Sequence, residues 1–423
     1  MNAIPAHLLP DNARIRHGML EIAGVPVSGI VNRHGTPLYV YDEEHMRTRC
    51  REAVAEFGEG RVVYATKAFL CRRMAKLVHE EGLMLDVASG GELHTVLAAG
   101  VPASSCVLHG NNKSTEELRA AITAGVDHIV VDSFDELDRL DALHATGLPA
   151  PRVHIRVTPG VHAETHEFVS TGQDDSKFGF NLANGDADRA VALATASDSV
   201  ELVGLHCHIG SNVLNASLFE QASALMVGMA ARCGLPELTL GGGLGVPYVT
   251  GDSAPTMKEW GDAIRSATAS LPAGTVVRVE PGRSIVATAG ITVYTVGTVK
   301  SIPGVRDYVA VDGGMSDNIR PMLYGSRYEV FDPDRADADR THVATLVGKH
   351  CESGDVLIED ALMPEGVKVG DLLVVPVTGA YGHSMASNYN RLPRPAVVFA
   401  DDGDAYLAVR RETYEDLDSR DLG

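Results

Sequence analysis

Basic residues are in short supply in this chain: 36 Lys and Arg stand against 56 Asp and Glu over 423 residues, a formal net charge of −20. Nucleic acid and anionic membranes need a basic face, so neither is expected as a partner. The six cysteines (Cys50, Cys71, Cys106, Cys207, Cys233 and Cys351) include no Cys-x-x-Cys pair. That excludes a disulfide framework and a zinc-site spacing. No apolar run approaches the length that spans a bilayer. The stretch Met1-Asn2-Ala3-Ile4-Pro5 lacks the basic segment and apolar run of a secretory signal, so a cytoplasmic protein is expected. There is no internal repeat and no low-complexity linker. Lysine is scarce as well, at eight positions (67, 76, 113, 177, 258, 300, 349 and 368).

What is present is ordinary for a globular enzyme: 45% hydrophobic and 22% charged residues, over a length that calls for two domains. From residue 36 to 285, short β-branched runs alternate with longer amphipathic ones. The strand candidates are Arg61–Ala65, Met84–Val87, Cys106–Leu108, His128–Val131, Val153–Val157, Leu202–His206, Glu237–Leu240 and Val276–Glu280. Helix-like segments such as Leu70–Glu81, Thr115–Ala124 and Ser217–Cys233 separate them. Eight alternations over this length predict a (β/α)8 barrel, with a doubly wound open sheet as the alternative. After residue 286 the runs Gly290–Val299, Tyr308–Val311, Thr341–Val347, Leu372–Val377, Ala396–Ala400 and Tyr406–Arg410 predict an all-β domain. Residues 1–35 hold two further strand-like runs, Met19–Ile22 and Val25–Val31, that are expected to join it. The fold class is thus α/β plus all-β: a barrel over 36–285, and a β-sandwich or β-barrel domain over 286–423 that also takes the N-terminal strands.

Chemistry concentrates at the ends of the predicted strands. Lys67 follows the first strand, where a barrel side chain faces the site mouth and an amine can form a Schiff base; Lys113 is the second candidate. Gly241-Gly242-Gly243-Leu244-Gly245 offers backbone N–H groups to a phosphate but does not make a dinucleotide fingerprint. Glu280-Pro281-Gly282-Arg283 supplies a carboxylate for a pyridinium nitrogen and a guanidinium for a carboxylate. His206 and His208 share one face of a strand, but no third ligand has a compelling spacing, so no metal is expected. An imidazole stacked on a cofactor ring, with Ser211 at its phosphate, fits better. Late in the chain, Cys351-Glu352 sits in a Gly/Ser-rich loop that no buried structural cysteine would choose. A Schiff-base lysine with a distant Cys-Glu pair suggests pyridoxal-phosphate chemistry on an amino acid. Asp317-Asn318-Ile319-Arg320, Tyr324 and Gly379-Ala380-Tyr381-Gly382 complete the set.

Together these motifs resemble the diaminopimelate decarboxylases, among the barrel-type pyridoxal-phosphate decarboxylases. The resemblance runs nearly the whole length, through Tyr64–Phe69, His109–Ser114, His206–Ser211, Gly241–Gly245, Glu280–Arg283, Asp312–Met315, His350–Asp355 and Gly379–Asn390. It implies that Lys67 holds pyridoxal 5′-phosphate as a Schiff base and that His208 stacks on its ring. Ser211, Gly243, Pro281, Gly282 and Tyr381 would line the phosphate region, with Glu280 on the ring nitrogen. Cys351 would be the proton donor, and Arg283, Arg320, Tyr324, Tyr381 and Glu352 would read the substrate. It further implies a head-to-tail homodimer with shared active sites. Two arginines and a glutamate suit a zwitterionic distal end, and losing one charge-assisted pair costs on the order of 1.5–3 kcal/mol. His383 and Asn212 depart from the common pattern. Rival readings are a related decarboxylase for carboxynorspermidine or a carrier-tethered aminoacyl substrate, a racemase on the same barrel type, and a non-catalytic pyridoxal-phosphate-binding protein.

Overall fold

Eight short strands, each followed by a return segment, order themselves in space as they do in the chain. They are β1 (Val63–Ala65), β2 (Met84–Val87), β3 (Cys106–Leu108), β4 (His128–Val131), β5 (Arg152–Thr158), β6 (Glu201–His206), β7 (Glu237–Thr239) and β8 (Val276–Arg278). All neighbours are parallel. The sheet closes where Val63 N donates to Val279 O (2.9 Å) and Ala65 N to Pro281 O (3.0 Å). Sequential order and closure make this a (β/α)8 barrel and exclude the doubly wound sheet.

The computed structural model describes residues 3–160 and 176–423. The chain divides into two compact units: Arg49–Val246 with Ala254–Ser284, and Met1–Thr48 with Pro247–Ser253 and Ile285–Gly423.

In the barrel unit, helices start where a hydroxyl meets a glutamate three residues on. Ser89, Ser114, Ser133 and Thr256 accept from the N–H of Glu92, Glu117, Glu136 and Glu259 at 3.1–3.3 Å. Each such cap is worth about 1 kcal/mol and fixes where its helix begins. Alternation along the strands sorts the interior. Val63, Val107 and Val130 form an apolar cluster with Met84 packed on it. His128, His154 and Glu237 are buried together toward the N-terminal ends of β4, β5 and β7, where the Arg278 guanidinium reaches them. The His128 and His154 rings stack at 3.9 Å, and His154 Nε2 lies 3.0 Å from Glu237 Oε2. Arg278 and Arg152 pair with the same Glu237. Gly204 leaves room for this layer, since a Cβ there would stand 2.6 Å from His154 Nε2.

In the other unit the main sheet runs Val356–Pro364, Arg340–Val347, Arg306–Val311, Gly290–Ile302, Leu38–Asp42, Ala396–Asp401 and Asp404–Val409, with Leu372–Val375 also on Gly290–Ile302. Leu38–Asp42 pairs antiparallel with Gly290–Ile302 and parallel with Ala396–Asp401. Ala13–Arg16, Met19–Ile22 and Val25–Pro26 make a separate three-stranded sheet. Val25–Val31 reads as a strand but is one only to Pro26. The chain then turns into the helix Val27–His34, which buries Val27 and Ile30 on one face and ends at Gly35 (φ 69°).

Candidate active site

Three loops meet at the C-terminal rim of the barrel. Lys67 lies in a single helical turn, Thr66–Ala68, directly after β1, and is exposed. Thr66 Oγ1 donates to Asp86 O (2.6 Å), which ties this turn to β2. Glycine lets the loop after β8 pack onto it: a Cβ at Gly282 would stand 2.9 Å from Ala65 Cβ. The loop after β7 is equally close. A Cβ on Gly242 would collide with Glu280 O, and Gly243 has φ 110° and lies against Gly210 O. Only glycine serves at these two positions, which explains the Gly241–Gly243 run.

Gly242 N donates to His208 Nδ1 at 3.2 Å, so the proton of a neutral His208 is on Nε2. Burial and the nearby Lys67 charge hold His208 well below the ordinary histidine range. Arg283 Nη2 donates to Ser211 Oγ (2.9 Å), joining the β6 and β8 loops. Lys67, His208, Ser211, Gly243, Glu280, Pro281, Gly282 and Arg283 are thereby brought to one rim. Asn212, one of the departures, sits at φ 58°, a conformation asparagine tolerates, and its Oδ1 accepts from Val246 N at 3.4 Å.

Glu280 is buried between two imidazoles that spacing along the chain did not bring together: His206, which strand alternation pairs with His208, and His109. His206 Nε2 lies 2.9 Å from Oε2, and His109 Nε2 lies 3.1 Å from Oε1. Burial pushes the Glu280 carboxyl up, but His206 and His109 outweigh it and hold the group well below the carboxylate range. The pair His206 and His208 therefore divides: one ring holds Glu280, and the other receives Gly242. Behind them Arg156 faces Asp132 at 3.4 Å and lies over the Phe178 ring. Lys113, the alternative Schiff-base lysine, is buried and fully engaged. Its Nζ lies 2.7 Å from each of Gly110 O, Val130 O and Glu136 Oε1. It ties β3 to β4, whereas Lys67 is exposed at the rim.

The remaining candidates belong to the other unit. Arg320 is buried, and its Nη1 donates to both Tyr248 OH and Tyr328 OH at 2.8 Å. Its guanidinium also lies over the Tyr248 ring at 4.8 Å. Tyr324 and Tyr381 are half-buried, and Tyr381 has φ 60°. Cys351 and Glu352 are exposed on a tight turn. Cys351 N donates to Asn390 Oδ1 (2.9 Å), Gly354 N to Glu352 Oε1 (3.2 Å) and Tyr389 OH to Glu352 Oε2 (3.4 Å). Buried Asp355 accepts from His350 N (2.9 Å), His350 Nδ1 (2.8 Å) and Met315 N (2.7 Å). His383 packs edge-on to Tyr39 at 5.7 Å, and burial lowers it to about 4. Tyr248 and Tyr328 carried no sequence signal, because a tyrosine that orients an arginine looks like any core aromatic.

Comparison with known proteins gives consistent results. Residues 43–287 match the family described as "Pyridoxal-dependent decarboxylase, pyridoxal binding domain". A diaminopimelate decarboxylase of Actinosynnema pretiosum subsp. auranticum is 48% identical, covering 99% of this chain and 96% of that protein. One of Bacillus subtilis is 47% identical, covering 96% of each. Among solved structures, the diaminopimelate decarboxylase of M. jannaschii in co-complex with L-lysine superimposes with a TM-score of 0.91 at 33% identity, covering 98% of both chains.

Proposed function

Because this chain belongs to the diaminopimelate decarboxylases, we propose that it removes one carboxylate of meso-diaminopimelate as CO2 and leaves L-lysine, with pyridoxal 5′-phosphate held at the barrel rim. The donor set fits that group. Lys67 offers an amine for its aldehyde, and Ser211 with the N–H-rich Gly241–Gly243 loop offers donors for its phosphate. The glycines at 243 and 282 let those loops pack closely enough to gather at the rim. When bound, pyridoxal phosphate supplies an electron sink for the carbanion left by CO2.

The protein's part is to bind, orient and move protons. His208, neutral and fixed by Gly242, presents a flat uncharged face to an aromatic ring. Glu280, kept ionised, would hold the proton on the ring nitrogen of the bound group. The Cys351 thiol gives its proton to the substrate carbon that has lost CO2. Arg320 is a fixed cation for the carboxylate of the distal amino-acid centre, and Arg283 a second. Tyr324 and Tyr381 add hydroxyl groups, and Glu352 an anion for the distal ammonium. Exposure of the Cys351-Glu352 turn supports a homodimer in which a second copy supplies that turn. No described helix is long and apolar enough to cross a membrane. With the acidic composition, this supports action in the cytoplasm.

The observation that carries the reading is the gathering of Lys67, neutral His208 and ionised Glu280 on one barrel rim. The test is lysine formation from meso-diaminopimelate by the cofactor-loaded protein, run beside ornithine, arginine and lysine as substrates. Lysine from diaminopimelate alone is expected. Lys67→Ala should lose both this activity and the visible absorption band of the bound cofactor. A band that survives Lys67→Ala places the attachment elsewhere. Product from ornithine but not from diaminopimelate overturns the substrate.

A further inference from the structure

Glu280 is reached from across the barrel, not from its neighbours along the sheet. It follows β8, whereas His109 follows β3 and His206 ends β6, so the three side chains meet through the interior. The two rings stand edge to face, 5.0 Å apart at 70°, and each addresses a different carboxylate oxygen. Packing alone does not demand this. Two residues before His109 on the same strand face, Val107 belongs to an apolar cluster that fills the same cross-section with valines. The change from valine to histidine coincides with the level of Glu280.

We propose that His109 and His206 are positioning residues that clamp Glu280 from both sides and set how firmly it holds the proton of a ring nitrogen at the barrel mouth. The proposal rests on the pyridoxal-phosphate reading of the same rim and deepens it.

The two halves of the clamp differ. His109 faces Asp86 and Glu280 and, on the other side, Arg156; burial pushes it down, but the two carboxylates outweigh burial and raise it. His206 faces Glu280, His109 and Arg156, and burial lowers it to about 4. His206 Nδ1 is buried with no hydrogen-bond partner among the described residues, so its proton is on Nε2, pointing at Glu280. Glu280 thus faces at Oε1 an imidazole whose charged form the neighbouring carboxylates favour, and at Oε2 a neutral donor. His128, one layer away, is held low by burial and adds no second cation. A carboxylate so placed is a weak base that leaves a proton on its partner nitrogen. Stripped of the clamp it is simply a buried carboxyl, which burial drives toward its neutral form. Neutral Glu280 no longer stabilises a protonated ring.

The experiment compares His109→Leu and His206→Leu with His109→Gln and His206→Gln, since a glutamine amide can present its N–H where Nε2 stood. In the apoenzyme, 13C NMR of carboxyl-labelled glutamate, assigned with Glu280→Gln, follows the titration of Glu280 itself. Both leucine variants should raise its midpoint. In the loaded enzyme they should lower kcat about ten- to a hundredfold, the equivalent of one charge-assisted hydrogen bond, with KM little changed. The acid limb of the kcat profile should move to higher pH. His206→Gln should restore most of kcat, and His109→Gln should restore less because it returns geometry without charge. Unchanged carboxyl titration in the leucine variants overturns the clamp. So does a loss of kcat that follows thermal stability equally in the leucine and glutamine variants. A wild-type protein with no cofactor band and no lysine product would overturn the functional reading instead, while the apoenzyme titration still decides whether Glu280 is clamped.

Discussion

Replacing Asp355 by asparagine should loosen the turn that presents Cys351, and the cost can be worked out bond by bond. Oδ2 of Asp355 accepts two bonds, from His350 N and His350 Nδ1, and Oδ1 accepts a third from Met315 N. The two His350 bonds are buried and the Met315 bond is partly buried. Gly348 and Gly314 leave the space, since a Cβ at Gly314 would stand 2.6 Å from either carboxylate oxygen. An asparagine keeps one acceptor oxygen. In its better orientation the oxygen serves His350, and the amide N–H2 then faces the Met315 N–H, donor against donor. One partly buried donor is left facing another donor, a loss of about 1–3 kcal/mol. For a unit of this size that corresponds to roughly 2–10 °C in melting temperature. Asp355→Ala orphans all three donors and should cost more.

The assay has two arms. Calorimetry reads the melting temperature. Mass spectrometry after brief iodoacetamide treatment reads Cys351, which is selective because Cys50, Cys71, Cys106 and Cys207 are buried and Cys233 is half-buried. Cys351 should be alkylated faster in the asparagine variant, because the side chain at 355 no longer ties the turn to Met315 and holds His350 only through an uncharged acceptor, while Asn390 still holds Cys351 N. An asparagine variant that melts with the wild type and is alkylated at the wild-type rate would refute the view that Asp355 builds this turn.

Two further outcomes follow from buried charges. Lys113→Met leaves Glu136 buried without its cation, and urea unfolding should show a loss of about 3–5 kcal/mol, with Glu136→Gln in the same chain recovering part of it. A Lys113→Met protein as stable as the wild type would mean that this ion pair contributes nothing. Burial raises Asp317 from 3.8 to about 7, against bonds from Tyr294 and Gly314. A raised carboxyl gives its stability in full below its unfolded value and loses it as pH climbs to the folded one, at about 1.4 kcal/mol per unit. Asp317→Asn should therefore gain on the wild type in melting temperature as pH rises through that window, and parallel pH profiles for the two proteins would contradict the shift.

The barrel was legible because its strands are short apolar runs bounded by polar turns, and β2, β3 and β4 fall on the same residues as the sequence reading. The glycine run at 241–243 was legible as a phosphate loop, although its tighter constraint, the approach of Glu280 O to Gly242, is a tertiary fact. Two strands of the other unit's main sheet escaped. Leu38–Asp42 is buried throughout and shows no alternation, so nothing in it distinguishes a sheet of the other unit from a barrel strand. Val356–Pro364 carries Glu359-Asp360 in its middle, where Asp360 takes φ 46° and the register with Arg340–Val347 slips. That interruption breaks the period-two pattern on which strand recognition depends. His109 and His206 escaped as a pair because they are far apart in sequence and meet only across the closed barrel.

A signal for them was nonetheless present. His154/Arg156, His206/His208 and Arg278/Glu280 place ionisable groups two apart, and His128 and Glu237 add single ones, on or just beyond consecutive strands where a packed barrel interior would carry Val, Ile or Leu. Such a pattern on one side of a barrel means that the interior is wired. The lower level is self-contained: Glu237 takes His154 and two arginines, while Asp127 takes Arg152 and His128. Burial pushes Glu237 up, but His154 and Arg278 outweigh it, while burial keeps His154 neutral. The anions and cations at that level are matched by their own partners, so it exerts little net bias on the level above. The charge state of Glu280 is then left to the groups at its own level: His109, His206, His208, Cys207, Asp86 and Arg156. Separating the two levels lets the barrel hold many buried charges while a single carboxylate at the rim stays tunable by the two histidines that touch it.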